Sequence, residues 1–172
     1  LQRLAEVRLA QGRREEARGL LNQALPRGRF SQVAMHLVQR VYGSMIMAAP
    51  DPAAARAVVE RAEATLGETD RCAFCEVMFL VPAAIACADV GELDRAKEYV
   101  ATADEAASRW DGNAWQAAVL EARAHILRAE GRFEDAADVL AEAAELFHAA
   151  GQPMDAMRCQ VGPATFAGQG AG

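Results

Sequence analysis

One six-residue pattern recurs along this chain and limits what it can fold into. It reads Gly12-Arg-Arg-Glu-Glu-Ala17, Gly91-Glu-Leu-Asp-Arg-Ala96 and Gly131-Arg-Phe-Glu-Asp-Ala136. Four residues after each alanine stands an apolar residue, and three beyond that another alanine: Leu21 and Ala24, Val100 and Ala103, Leu140 and Ala143. A degenerate fourth copy has Pro50-Asp51-Pro52 at its turn and continues with Ala55, Val59 and Ala62. The leading alanines Ala17, Ala55, Ala96 and Ala136 are spaced by 38, 41 and 40 residues. Periods of this length belong to stacked arrays, in which each unit buries its apolar face only against a neighbour.

The pattern is that of a helical hairpin. A glycine ends one helix in the left-handed conformation that a side chain disfavours. The acidic residues then sit in the first turn of the next helix, where the helix dipole favours negative charge. The alanine, the apolar residue at +4 and the alanine at +7 lie on one face, and the methyl groups permit close helix contact. Composition agrees: the 172 residues include 40 alanines but only three isoleucines, so helix formers abound and strand formers are scarce. The expected helices run over residues 1–11 and 14–25, 31–48 and 52–66, 70–90 and 93–109, 114–130 and 133–150, with a last helix over 153–161. Ser31 and Thr69 read as N-caps, Asn113 with Gln116 as a capping box, and Pro153 as a first helical residue. Pro82 is expected to kink the fifth helix or to split it at Val81.

These hairpins resemble tetratricopeptide repeats, which carry a small residue in the first helix, a glycine at the turn, and an alanine, a large apolar residue and an alanine in the second helix. With the repeats aligned through Ala17, Ala55, Ala96 and Ala136, the small first-helix position falls on Ala5, Gly43, Ala84 and Ala124. The resemblance covers Leu1 to Ala150. The repeat spacing is nearer 40 residues than the family's usual length of about 34, and the motif's tryptophan, tyrosine and terminal proline are mostly missing. The Ala/Arg-rich style, with Lys97 as the only lysine, is similar to that of the repeat regions of large bacterial ATPase-type (LuxR-like) transcriptional regulators.

The resemblance implies an all-α fold: a right-handed superhelical array, or α-solenoid, of about four hairpins. The repeats would cover 1–28, 29–68, 69–112 and 113–152, with a partial unit over 153–161 and a flexible tail over 162–172. It further implies that the first helices line a concave groove. Gln2, Glu6, Leu9 and Leu37 would lie there, followed by Arg40, Ser44, Met47, Met78, Val81, Ile85, Glu121, His125 and Arg128. Arg40 and Arg128 are the candidates to grip a partner's carboxylate.

The formal charge of −6 excludes a generic grip on nucleic acid, which needs a basic face. No apolar run is long enough to span a bilayer; the longest, Val77 to Ala88, contains Pro82. No signal peptide is visible, and four cysteines are few for a disulfide framework in a chain of this length, so a cytoplasmic setting is expected. Leu1, Leu4, Ala5 and Leu9 are already in helical register, which leads us to expect a segment of a longer polypeptide. A homodimer formed through an uncovered end of the array is a further expectation.

Few residues suggest chemistry. Cys72-Ala-Phe-Cys75 places two thiols three residues apart, a spacing that suits metal chelation or a redox pair. Cys87 is twelve residues beyond Cys75, about 18 Å along a helix, too far for the same site, while Cys159 and His36 are candidates that spacing does not place. His36, His125 and His148 fall on different helices without a zinc-protease spacing. No serine sits in a nucleophile elbow and no phosphate-binding glycine loop is present. The aromatic and methionine set Tyr42, Met45, Met47, Phe74, Met78 and Phe79 reads either as inter-repeat core or as an adaptable groove. The expected function is therefore a non-enzymatic protein-interaction or scaffold module without catalytic residues, cofactor or metal. Its partner would be a protein or peptide ligand, or neighbouring domains of the same chain. The alternative is a thiol- or metal-dependent sensor using Cys72 and Cys75.

Overall fold

The computed structural model describes residues 1–67 and 72–161. All regular structure among them is helical: α1 (Gln2–Ala10), α2 (Arg14–Arg29), α3 (Ala34–Met47), α4 (Pro52–Leu66), α5 (Val77–Asp89), α6 (Leu93–Ala107), α7 (Asn113–Ala129), α8 (Phe133–Ala149) and α9 (Pro153–Val161). No described helix is long and apolar enough to cross a membrane.

The glycine turns form as their sequence requires. Gly12, Gly91 and Gly131 have φ of 75°, 82° and 80°. At each, the following N–H reaches back to a carbonyl five residues earlier: Arg13 to Arg8, Glu92 to Cys87 and Arg132 to Leu127, all at 2.9 Å. This Schellman arrangement satisfies carbonyls that the helix end would leave without donors. A fourth turn of the same geometry stands at Gly151 (φ 71°), with Gln152 bonded to the Phe147 carbonyl at 2.9 Å. It opens α9 and leads to buried Ala156, so the Gly-to-Ala phrase has a further copy, Gly151 to Ala156, at half the usual spacing. The degenerate turn at Pro50 works differently: the Asp51 side chain caps α4 by accepting from the Ala54 N–H at 2.8 Å, with Pro52 in the first turn.

Each hairpin packs on itself and on the next. Contacts join α1 to α2, α3 to α4, α5 to α6 and α7 to α8, and the first helices α1, α3, α5 and α7 touch one another in order. The signature alanines Ala17, Ala62, Ala96, Ala103 and Ala143 are fully buried at these contacts. Most of the core is continuous from Ala5 to Ile126, and a smaller cluster of Ala117, Ala143, Ala144, Phe147, Ala156 and Cys159 closes the far end. Among the described residues, no side-chain hydrogen bond joins positions more than 42 residues apart, and those linking one hairpin to the next span 32 to 42.

Four helix boundaries differ from expectation. α2 continues through Pro26 to Arg29. α3 starts at Ala34 rather than Ser31, because the Ser31 hydroxyl accepts the Val33 N–H at 3.2 Å and holds a turn. α5 starts at Val77 rather than Asp70, and Cys72 to Cys75 form a turn ahead of it. α7 has Gly112 as its N-cap, with Asn113 already helical and no side-chain cap, in place of the expected capping box. Pro82 sits inside an unbroken α5. The expected cap Thr69 and the expected tail at 162–172 lie outside the described residues.

Candidate functional site

The most chemically defined cluster sits where α3 faces the turn before α5. His36 occupies the first turn of α3, and Cys72 and Cys75 occupy the turn over 72–75. The three candidate ligand atoms all lie within 4.8 Å of one another. Cys75 Sγ is 3.5 Å from His36 Nδ1. Cys72 is buried, whereas His36 and Cys75 are half-buried, so the cluster is open on one side. Burial, with the hydrogen-bonded Cys72 thiol next in weight, pushes the Cys75 thiol up to about 11, and the nearby Arg40 charge acts in the opposite direction. Arg40 lies one helical turn after His36; its Nε is buried without a hydrogen-bond partner among the described residues.

The turn is held from its other side. Arg109 donates to the Ala73 carbonyl at 3.4 Å and to Glu76 at 3.3 Å. The Trp110 indole N–H donates to the Phe74 carbonyl at 3.0 Å, and the Phe74 ring meets Trp110 edge-on at 5.7 Å. The two middle residues of the Cys-Ala-Phe-Cys segment therefore give their carbonyls to the loop between α6 and α7. The other cysteines are remote. Cys87 is buried in the main core, with its thiol pushed to about 11 by burial. Cys159 belongs to the smaller cluster, where burial pushes its thiol to about 12.

The expected groove residues do not share one open surface. Ser44, Val81 and Glu121 are buried. Ser44 accepts from Gln2 at 3.0 Å and donates to the Arg40 carbonyl at 3.0 Å. Glu121 is covered by α9, whose Arg158 reaches it in a two-pronged contact, Nε to Oε1 at 2.6 Å and Nη2 to Oε2 at 2.7 Å. His125 Nδ1 of α7 lies 2.9 Å from Asp89 Oδ1 at the end of α5. Met47 is exposed, and Met78, Ile85 and Arg128 are half-buried. Of the aromatic and methionine set, Tyr42, Met45 and Phe79 are core, with the Tyr42 hydroxyl 2.8 Å from Thr65 Oγ1.

Helical spacing offers no sign that His36 belongs with the cysteines. The only available hint is that 39 residues separate His36 from Cys75, close to one repeat. Comparison of the chain with protein-family models, with curated proteins and with solved structures found no match.

Proposed function

We propose that the chain is a non-enzymatic interaction and scaffold module: a tetratricopeptide-like α-solenoid that serves as the repeat segment of a larger signalling or transcriptional regulator. The observation that carries this reading is the nearest-neighbour pattern of ties, with hairpin-to-hairpin hydrogen bonds spanning 32 to 42 residues. Such quasi-one-dimensional construction is how solenoids present extended binding surfaces. The exposed apolar residues Leu4 (44%) and Val7 (50%) of α1, with Leu1 (47%) just before it, support a neighbouring domain or a second copy as one partner. Arg40, Met47, Met78, Ile85 and Arg128 are among the groove candidates that retain access to solvent.

Peptides selected from a display library against the purified chain provide the test. Affinity should fall on Arg128→Ala and Met47→Ala while Cys72→Ser leaves it unchanged. Selected peptides whose affinity ignores every first-helix substitution would remove the groove from the proposal. The mass of the native polypeptide in its source cell then separates a segment of a large regulator from an autonomous adaptor of this size.

A further inference from the structure

We propose that His36, Cys72 and Cys75 form a tetrahedral site for a thiophilic divalent cation of the zinc class, with the fourth position open to water or to an incoming donor. The proposal is independent of the interaction reading, because an array of hairpins binds a partner with or without a metal. It also changes the expectation drawn from the chain alone. Two cysteines offer only two ligands, and the packing of α3 against the 72–75 turn adds a third from another repeat.

The distances fit. Metal–sulfur bonds of about 2.3 Å and metal–nitrogen bonds of about 2.0–2.1 Å at tetrahedral angles put a sulfur and a nitrogen about 3.5–3.6 Å apart, and two sulfurs about 3.8 Å apart. Cys75 Sγ and His36 Nδ1 already stand 3.5 Å apart, and no pair in the cluster exceeds 4.8 Å. The widest edge therefore needs to close by about 1.3 Å at most, within reach of a side-chain rotation. The donor set selects the ion. Two thiolates and an imidazole suit zinc-class cations, whereas calcium and magnesium require oxygen ligands. The surroundings are built for a fixed geometry. Arg109 and Trp110 bind the carbonyls of Ala73 and Phe74 between the two cysteines, the kind of outer support that orients ligands at metal sites. Arg40, one helical turn after His36, has a buried Nε with no hydrogen-bond partner among the described residues.

The binding step balances simply. The cation enters, the Cys72 and Cys75 thiols each release a proton to solvent, and neutral His36 donates its Nδ1 lone pair. The two thiolate charges offset the dication, and no oxidant is consumed.

The test uses the purified chain, reduced and stripped with a chelator, then titrated with Zn2+ and separately with Co2+. One equivalent of Zn2+ should bind with release of protons. Co2+ should give the sulfur-to-cobalt charge-transfer absorption and the intense visible bands of a tetrahedral thiolate site. The Trp110 indole, bonded to the turn, should change its emission. Cys72→Ser and Cys75→Ser should each abolish the cobalt spectrum, and His36→Ala should weaken Zn2+ binding by about tenfold or more. Cys159→Ser should leave both unchanged. Circular dichroism of every variant separates loss of the site from loss of the fold. Uptake that survives in the Cys72→Ser/Cys75→Ser protein, a cobalt spectrum without thiolate absorption, or Zn2+ affinity indifferent to His36→Ala in a folded protein would each overturn the site.

Discussion

Gly43 of α3 lies against the Met78 carbonyl of α5, so close that a Cβ on Gly43 would stand 1.9 Å from that oxygen. Pro82, four residues after Met78, has no N–H, and the Met78 carbonyl therefore lacks its usual helical donor. The Gly43 hydrogen that occupies the Cβ position points at this free oxygen, in the manner of the Cα–H···O contacts seen where helices cross closely. A proline inside one helix and a glycine inside its neighbour are thus complementary parts of one crossing.

Gly43→Ala is expected to destabilise the protein. The added methyl gains about 1 kcal/mol in helix propensity, but it meets backbone that cannot swing aside. Overpacking of this kind costs about 1–3 kcal/mol and sometimes more. A net loss of about 1–2 kcal/mol in denaturant melts is the expected result, because the clash with backbone puts the cost at the upper end of that range. A variant as stable as the parent would show that α3 and α5 slide apart at little cost.

The turn glycine Gly91 and the exposed helical glycine Gly19 should respond in opposite directions. Gly91 has φ of 82° and open space around its Cβ position, so Gly91→Ala should lose about 1–2 kcal/mol through backbone strain alone. Gly19 lies on the exposed face of α2 with nothing near a new methyl. Gly19→Ala should gain about 0.5–1 kcal/mol. Paired thermal melts read both signs.

One ion pair ties α9 to Glu121 of α7. The Glu121 side chain is 7% exposed and Arg158 is 32% exposed, and Asp155 adds a second contact to Arg158 at 2.5 Å. Breaking a fully buried pair costs about 3–5 kcal/mol. Because Arg158 retains partial access to water, Glu121→Ala should cost about 2 kcal/mol. The loss should be local: amide hydrogens of α9 should exchange much faster, while those of α3 and α5 keep their protection. Uniform loss of protection would place α9 inside the cooperative core.

Acid should weaken the junction between α4 and α6. Burial pushes the Glu63 carboxyl upward, but hydrogen bonds from Arg95 and Tyr99, with the Arg95 charge, outweigh it and hold the group below its ordinary value of 4.5. Burial first, and the Glu63 bond second, hold the Tyr99 phenol well above its ordinary value, so it remains a donor across the working range. A carboxyl depressed in the folded state stabilises the fold above the unfolded pKa. That contribution fades as pH falls below about 4.5 and is gone below the folded pKa. Melting temperature should therefore drop on acidification through this window, and Glu63→Gln should flatten that limb while lowering stability at neutral pH. An acid limb unchanged by Glu63→Gln would assign the effect to other carboxylates.

Where tertiary donors compete with the helix, local patterns mislead. The Cys72-Ala-Phe-Cys75 segment reads as the opening of a helix that begins at Asp70. In the structure, the Ala73 and Phe74 carbonyls instead take donors from Arg109 and Trp110, about one repeat away, and α5 waits until Val77. Asp51 reads as part of a degenerate turn, yet its side chain caps α4. Glu121 sits at a first-helix position that the resemblance assigns to a ligand, and α9 folds over it.

What the chain determined by itself is local. The glycine turns, the acidic first turns and the buried alanine faces follow from backbone sterics, the helix dipole and a 3.6-residue period, and all three act within a few residues. What only the tertiary structure decided is which residues meet one repeat apart. The stacking of α3 on α5 brings His36 to Cys75 and Gly43 to Met78. Those meetings depend on how one helix is rotated and shifted against the next, and that is set by the combined fit of the methyl-lined interface rather than by any short stretch of sequence.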